Sequence, residues 1–119
     1  MWFNVVMLAH QPEVQIYPLN IPLLKEEEQK LADHLISPTN ESKKFVQSVL
    51  EKVFEEGNRR GRPYGNLFCS VSTGDVVLLG NERWICGIKG WTKITNHEMH
   101  AYCKLARRDR QFSHLIEAE

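Results

Sequence analysis

Cys69-Ser-Val-Ser-Thr-Gly-Asp-Val-Val-Leu-Leu-Gly-Asn-Glu-Arg-Trp-Ile-Cys-Gly-Ile-Lys-Gly-Trp-Thr-Lys-Ile94 decides how this chain folds. Two β-rich runs, Val76–Leu79 and Arg83–Ile88, flank Gly80-Asn81. Glycine and asparagine tolerate the positive φ angles of a two-residue hairpin turn, so the pattern predicts a sharp reversal at 80–81. Asp75 stands after Gly74 and directly before the first run, where a carboxylate accepts backbone N–H groups of a turn. Trp84 and Trp91 are seven positions apart. A strict two-residue period puts them on opposite faces, and a bulge at Gly87 or Gly90 would return them to one. Trp84 is expected in the core, and Trp91, beside Gly90 at the strand end, as a surface anchor for a partner.

Upstream, alternation through Phe3, Val5 and Met7 predicts a first strand, and Val14–Tyr17 a second that pairs with it. Pro12, Pro18 and Pro22 break helix through residues 11–22. Pro22 suits a helix opening, with Leu24, Glu28, Leu31 and Leu35 at helical spacing and Glu26, Glu27 and Glu28 complementing the dipole. Ser37-Pro-Thr-Asn40 ends that helix and supplies N-caps for the next. Phe45, Val46, Val49, Leu50, Val53 and Phe54 then form a broad apolar stripe, which Gly57-Asn58 stops. Thr95 and Glu98 have the spacing of a capping box. It opens a third helix that would bury Met99, Tyr102, Cys103 and Ala106. The order β-β-α-α-β-β-β-α is an α+β fold: a small antiparallel sheet with a C-terminal β-hairpin, packed by two to three helices.

The chain has 119 residues, 42% hydrophobic and 25% charged, in the range of one globular domain spanning 1–119. Formal net charge is zero, yet residues 1–56 hold five Lys/Arg against nine Asp/Glu and residues 57–119 hold ten against six. The halves therefore attract each other, or the second half carries a basic face. Cys69, Cys86 and Cys103 cannot all pair within one chain and fit no zinc-module spacing, which reads as free thiols in a reducing cytoplasm. The apolar start lacks a basic n-region and is too short for a membrane span.

The helix end Val49-Leu-Glu-Lys-Val-Phe-Glu-Glu-Gly-Asn58 and the run Ser70–Ile94 together resemble the YodL-like small proteins and domains, over about residues 49–94. The positions that carry the resemblance are Phe54, Asn58, Ser70, Ser72, Gly74, Asp75, Val76, Val77, Trp84, Gly90, Trp91 and Ile94. It implies a small accessory protein of the kind carried by phages, plasmids and integrated elements, with no catalytic residues. One departure stands out: Cys69 occupies the place where such loops carry an arginine.

Several constellations bear on chemistry. His97, His100 and Cys103 lie three apart, with Cys69 or Cys86 as a conceivable fourth ligand, but the spacing is not that of a metalloprotease or a closed zinc module. Surface histidines and a core cysteine fit it better, and no metal or cofactor is expected. No nucleophile elbow or paired carboxylates stand out, so the expectation is a non-enzyme. Arg59, Arg60 and Arg62 with Tyr64 nearby form a basic, aromatic-bearing loop. Lys89, Lys93, Arg107, Arg108 and Arg110 would extend it if hairpin and last helix lie side by side. Two readings follow. One is a cytoplasmic accessory protein that binds a host or element-encoded protein and modulates it, with Trp91 as the apolar anchor and these cations steering. The other is nucleic-acid binding through the same loop and C-terminal helix.

Overall fold

The structure, a computed structural model, describes residues 1–8, 14–59, 61 and 71–104. Five strands form one antiparallel sheet: β1 (Trp2–Met7), β2 (Gln15–Asn20), β3 (Val76–Leu79), β4 (Glu82–Cys86) and β5 (Trp91–Ile94), in the spatial order β2-β1-β3-β4-β5. Two helices, α1 (Lys25–Ile36) and α2 (Asn40–Asn58), separate β2 from β3 in sequence. A third helical stretch, α3, runs through 96–104. This is the α+β arrangement that the sequence predicts.

Period-two alternation sorts the sheet into two faces. Phe3, Val5, Met7, Tyr17, Leu19, Val77, Leu79, Trp84, Cys86 and Trp91 point to the helices and join Leu31, Val46, Val49, Leu50 and Val53 in the main core. Val6, Leu8, Val76 and Ile94 point the other way and gather Met99 and Cys103 of α3 around a second, smaller cluster. The α2 stripe predicted from spacing is thus the lid of the main core.

Local chemistry explains the element ends. Thr39 caps α2 by accepting the Ser42 N–H at 3.0 Å, and the Ser42 hydroxyl accepts the Thr39 N–H at 2.8 Å. Asn58, the last residue of α2, donates its side-chain amide to the Phe54 carbonyl at 2.7 Å. Pro22 lies ahead of α1, and Leu24 is its exposed N-cap, where the Glu27 carboxylate accepts the Leu24 N–H at 3.1 Å. The capping box of α3 is present, with Thr95 N–H on Glu98 and Glu98 N–H on Thr95, both at 3.1 Å. Met99 and Cys103 pack against the second cluster as expected, whereas Tyr102 turns to solvent. Ala106 lies outside the described residues.

The hairpin at 80–81 is where the sequence puts it. Leu79 stands opposite Glu82, and Gly80 has φ +56°. Beyond it the structure differs from the expected strand Arg83–Ile88. The strand ends at Cys86, and residues 87–90 form a second reversal that returns Trp91 to a place opposite Cys86. The Gly87 N–H bonds the Gly90 carbonyl at 2.7 Å, and a Cβ on Gly87 would lie 2.9 Å from that oxygen. Gly90 itself takes φ +142°. The two glycines make a turn rather than a bulge, and Ile88 sits at its tip.

Candidate functional site: an uncharged outer sheet face

Trp91 is not the surface anchor. It is 4% exposed, seated with Trp84 and Cys86 in the main core. The physical reason is the second reversal: a hairpin pairs Cys86 with Trp91 on one side of the sheet, so both tryptophans face the helices. Lys93 shares that side, and its ammonium reaches the Glu82 carboxylate at 2.8 Å. Arg59 pairs with Glu56 at 2.7 Å on α2. Both of these cations are thus in ion pairs with carboxylates of the same chain. Arg60, Arg62, Tyr64, Arg107, Arg108 and Arg110 lie outside the described residues.

Glu82 anchors a polar network that spacing does not disclose. The residue is 4% exposed. Its Oε1 lies 2.7 Å from His34 Nε2 and accepts Trp84 Nε1–H at 3.2 Å, while Oε2 takes the Lys93 ammonium. Burial is the largest influence on this carboxyl and raises its pKa. The hydrogen bonds from Lys93, His34 and Trp84 together outweigh burial and hold it below the ordinary glutamate value. His34 Nδ1 lies 2.6 Å from Ser42 Oγ, which completes a hydroxyl, imidazole and carboxylate in series.

That series has the order of a nucleophile, base and orienting carboxylate, and a pocket of about 400 Å³ opens beside it. Ser42 Oγ also accepts the Thr39 N–H and lies 2.9 Å from the Thr39 carbonyl. Its single proton goes to that carbonyl or to His34 Nδ1, according to the histidine tautomer. The hydroxyl therefore belongs to the α2 cap as well as to the series. The chain Ser42–His34–Glu82–Lys93 ties α1, α2, β4 and β5 together. Asp75 clamps in the same way at the other end of the sheet, accepting the N–H of Leu8 and of Ser72 at 2.8 Å each. This is the turn role predicted for it. Among the described residues no three His, Cys, Asp or Glu side chains are grouped so as to hold a metal ion; His97 and His100 are exposed, and Cys103 packs against the second cluster.

The exposed apolar chemistry lies elsewhere. Trp2 is 64% exposed and Ile16 56%, both on the sheet face away from α1 and α2. Trp2, Asn4 and Val6 of β1 stand opposite Asn20, Pro18 and Ile16 of β2, and none of the six carries a charge. The Ile21 N–H bonds the Met1 carbonyl at 2.8 Å, so odd-numbered β2 residues bond inward and even-numbered ones present their backbone to the free edge. Pro18 falls on the outward set. Its missing N–H interrupts that edge and blocks the addition of another strand, so this surface is offered by its face. Alternation already held the signal: if Phe3, Val5 and Met7 go inward, Trp2 goes outward.

Among the described residues no helix is long and apolar enough to cross a membrane. No protein family, curated protein or solved structure matches this chain.

Proposed function

We propose that this chain is a cytoplasmic, YodL-like accessory protein of phage or plasmid type that binds another protein and modulates it, without catalysing a reaction. The observation that carries the reading is the exposure of Trp2 and Ile16 on one sheet face, where the paired β1 and β2 side chains carry no charge. A tryptophan supplies a large apolar area at little entropic cost, and exposed aromatic and aliphatic side chains on one sheet face are the kind of anchors that protein contact sites use. The partner it suits presents an uncharged apolar surface, packed face-on because Pro18 closes the strand edge. The positions behind the resemblance support the same division of labour. Asp75 is a turn clamp, Gly90 a turn residue, and Val76, Val77, Trp84 and Trp91 are buried. They are fold residues, so recognition falls to the part of the sheet outside the shared segment.

The test is capture from a nuclease-treated lysate of the cells that encode the protein, with wild type beside Trp2→Asp and Ile16→Asp. A protein retained by wild type and lost with both variants, whose thermal melts match wild type, supports the reading. Retention that ignores both substitutions overturns it. Loss on nuclease treatment, together with a steep dependence on salt, gives the case to nucleic-acid binding.

A further inference from the structure

The pocket of about 400 Å³ between α1 and α2 has the size of a small-ligand site. Phe45, itself packed against the main core, gives it an aromatic wall, and the exposed Asp33 and Glu41 line it as well. A cation of the chain's own already sits there: the Lys30 ammonium lies 5.2 Å from the centre of the Phe45 ring. The negative face of an aromatic ring attracts an ammonium in this way. Among the described residues Lys30, Asp33 and Glu41 are in no ion pair, so two carboxylates face one base. His34, at the buried wall, has both ring nitrogens engaged by Ser42 and Glu82. Recognition in this pocket therefore falls to the ring and the carboxylates.

We propose that this pocket binds an alkylammonium ion, and that Lys30 holds its place in the free protein. The incoming cation takes the face of the Phe45 ring, its stem lies on the apolar wall, and Asp33 and Glu41 supply the counter-charge. Lys30 yields readily, because it is exposed and its flexible stem carries the ammonium back to water. The same two carboxylates repel an anion. The site lies in the helix layer, across the sheet from Trp2, and so goes beyond the partner face. A free amine and a lysine side chain of another protein present the same head group, and the test below separates them.

NMR titration of the isotope-labelled full chain with n-butylammonium, with 1-butanol and with Nα-acetyl-lysine methylamide tests this. The expected result is a saturable shift of the Glu41 and Phe45 amides with butylammonium, at roughly millimolar Kd for so small a ligand, and none with 1-butanol. Lys30→Met vacates the ring and removes a like charge, so it binds about threefold more tightly, whereas Glu41→Gln binds about threefold more weakly. Both positions are exposed, so neither variant disturbs the core. Trp2→Asp leaves the titration unchanged, which keeps a failure of this site apart from a failure of the partner face. Either cation supports the site: tighter binding of the lysine derivative assigns it to a basic segment of another protein, and tighter binding of butylammonium to a free amine. Absence of a saturable shift overturns the proposal. So does an equal response to 1-butanol, or a Lys30→Met variant that binds no more tightly than wild type.

Discussion

Glu82 holds one helix to two strands through a single carboxylate, and its partner His34 reaches Ser42 of a second helix, so its removal is felt in all of them. Its donors, His34, Trp84 and Lys93, come from α1, β4 and β5. Glu82→Ala leaves the buried His34 and Trp84 nitrogens without their acceptor, and breaking a buried pair from one side costs about 3 kcal/mol. Urea unfolding should show that loss as a lower midpoint at unchanged slope. The same carboxyl makes stability depend on pH. Its folded pKa lies below its unfolded value near 4.5. Its contribution is thus complete above the unfolded value and is lost as pH falls through the lower, folded one. Wild type should lose stability on acidification in that window, and Glu82→Ala should lose correspondingly less. Cys86 gives the opposite case. Burial, with Asp75 and Glu51 adding to it, pushes this thiol up to about 11. At neutral pH it is protonated and inert, so iodoacetamide followed by mass mapping should label Cys86 in urea and leave it unlabelled in the native protein.

At the scale of elements, the two reversals show what short-range sequence can and cannot convey. Gly80-Asn81 is read correctly because the turn type demands those residues and the flanking runs are apolar. The reversal at 87–90 is hidden. Ile88 continues an apolar strand pattern, and it is the pairing of Cys86 with Trp91 and the closeness of Gly87 to the Gly90 carbonyl that show the chain doubling back. The expected surface place of Trp91 fails for that reason, since a turn, unlike a continuing strand, resets which side is inward. The His34–Glu82 contact spans 48 residues, and nothing local to either residue announces it. The first hairpin can be tested directly. Gly80 has φ +56°, and a Cβ there would lie 2.7 Å from Leu35 Cδ1 on α1. Gly80→Ala therefore combines left-handed strain of about 1 kcal/mol with displacement of a packed leucine. It should lower the midpoint of thermal unfolding by several degrees, whereas Gly61→Ala, with φ +78° and open space around it, carries the strain alone.

For the whole molecule, the three tryptophans report on both faces of the sheet, and Trp2 on the proposed contact. Trp84 and Trp91 are buried under α1 and α2, while Trp2 stands in solvent on the far side. A neutral quencher such as acrylamide meets only Trp2 in the native protein. The fluorescence should divide into one accessible component and a protected remainder, and Trp2→Phe should remove the accessible component without shifting the unfolding midpoint. If the apolar anchor were Trp91, the accessible component would instead survive Trp2→Phe. The same signal reports partner binding. A partner seated on Trp2 and Ile16 closes the accessible component. Protection of Trp2 by the captured partner is the outcome that a contact through the β1–β2 face requires.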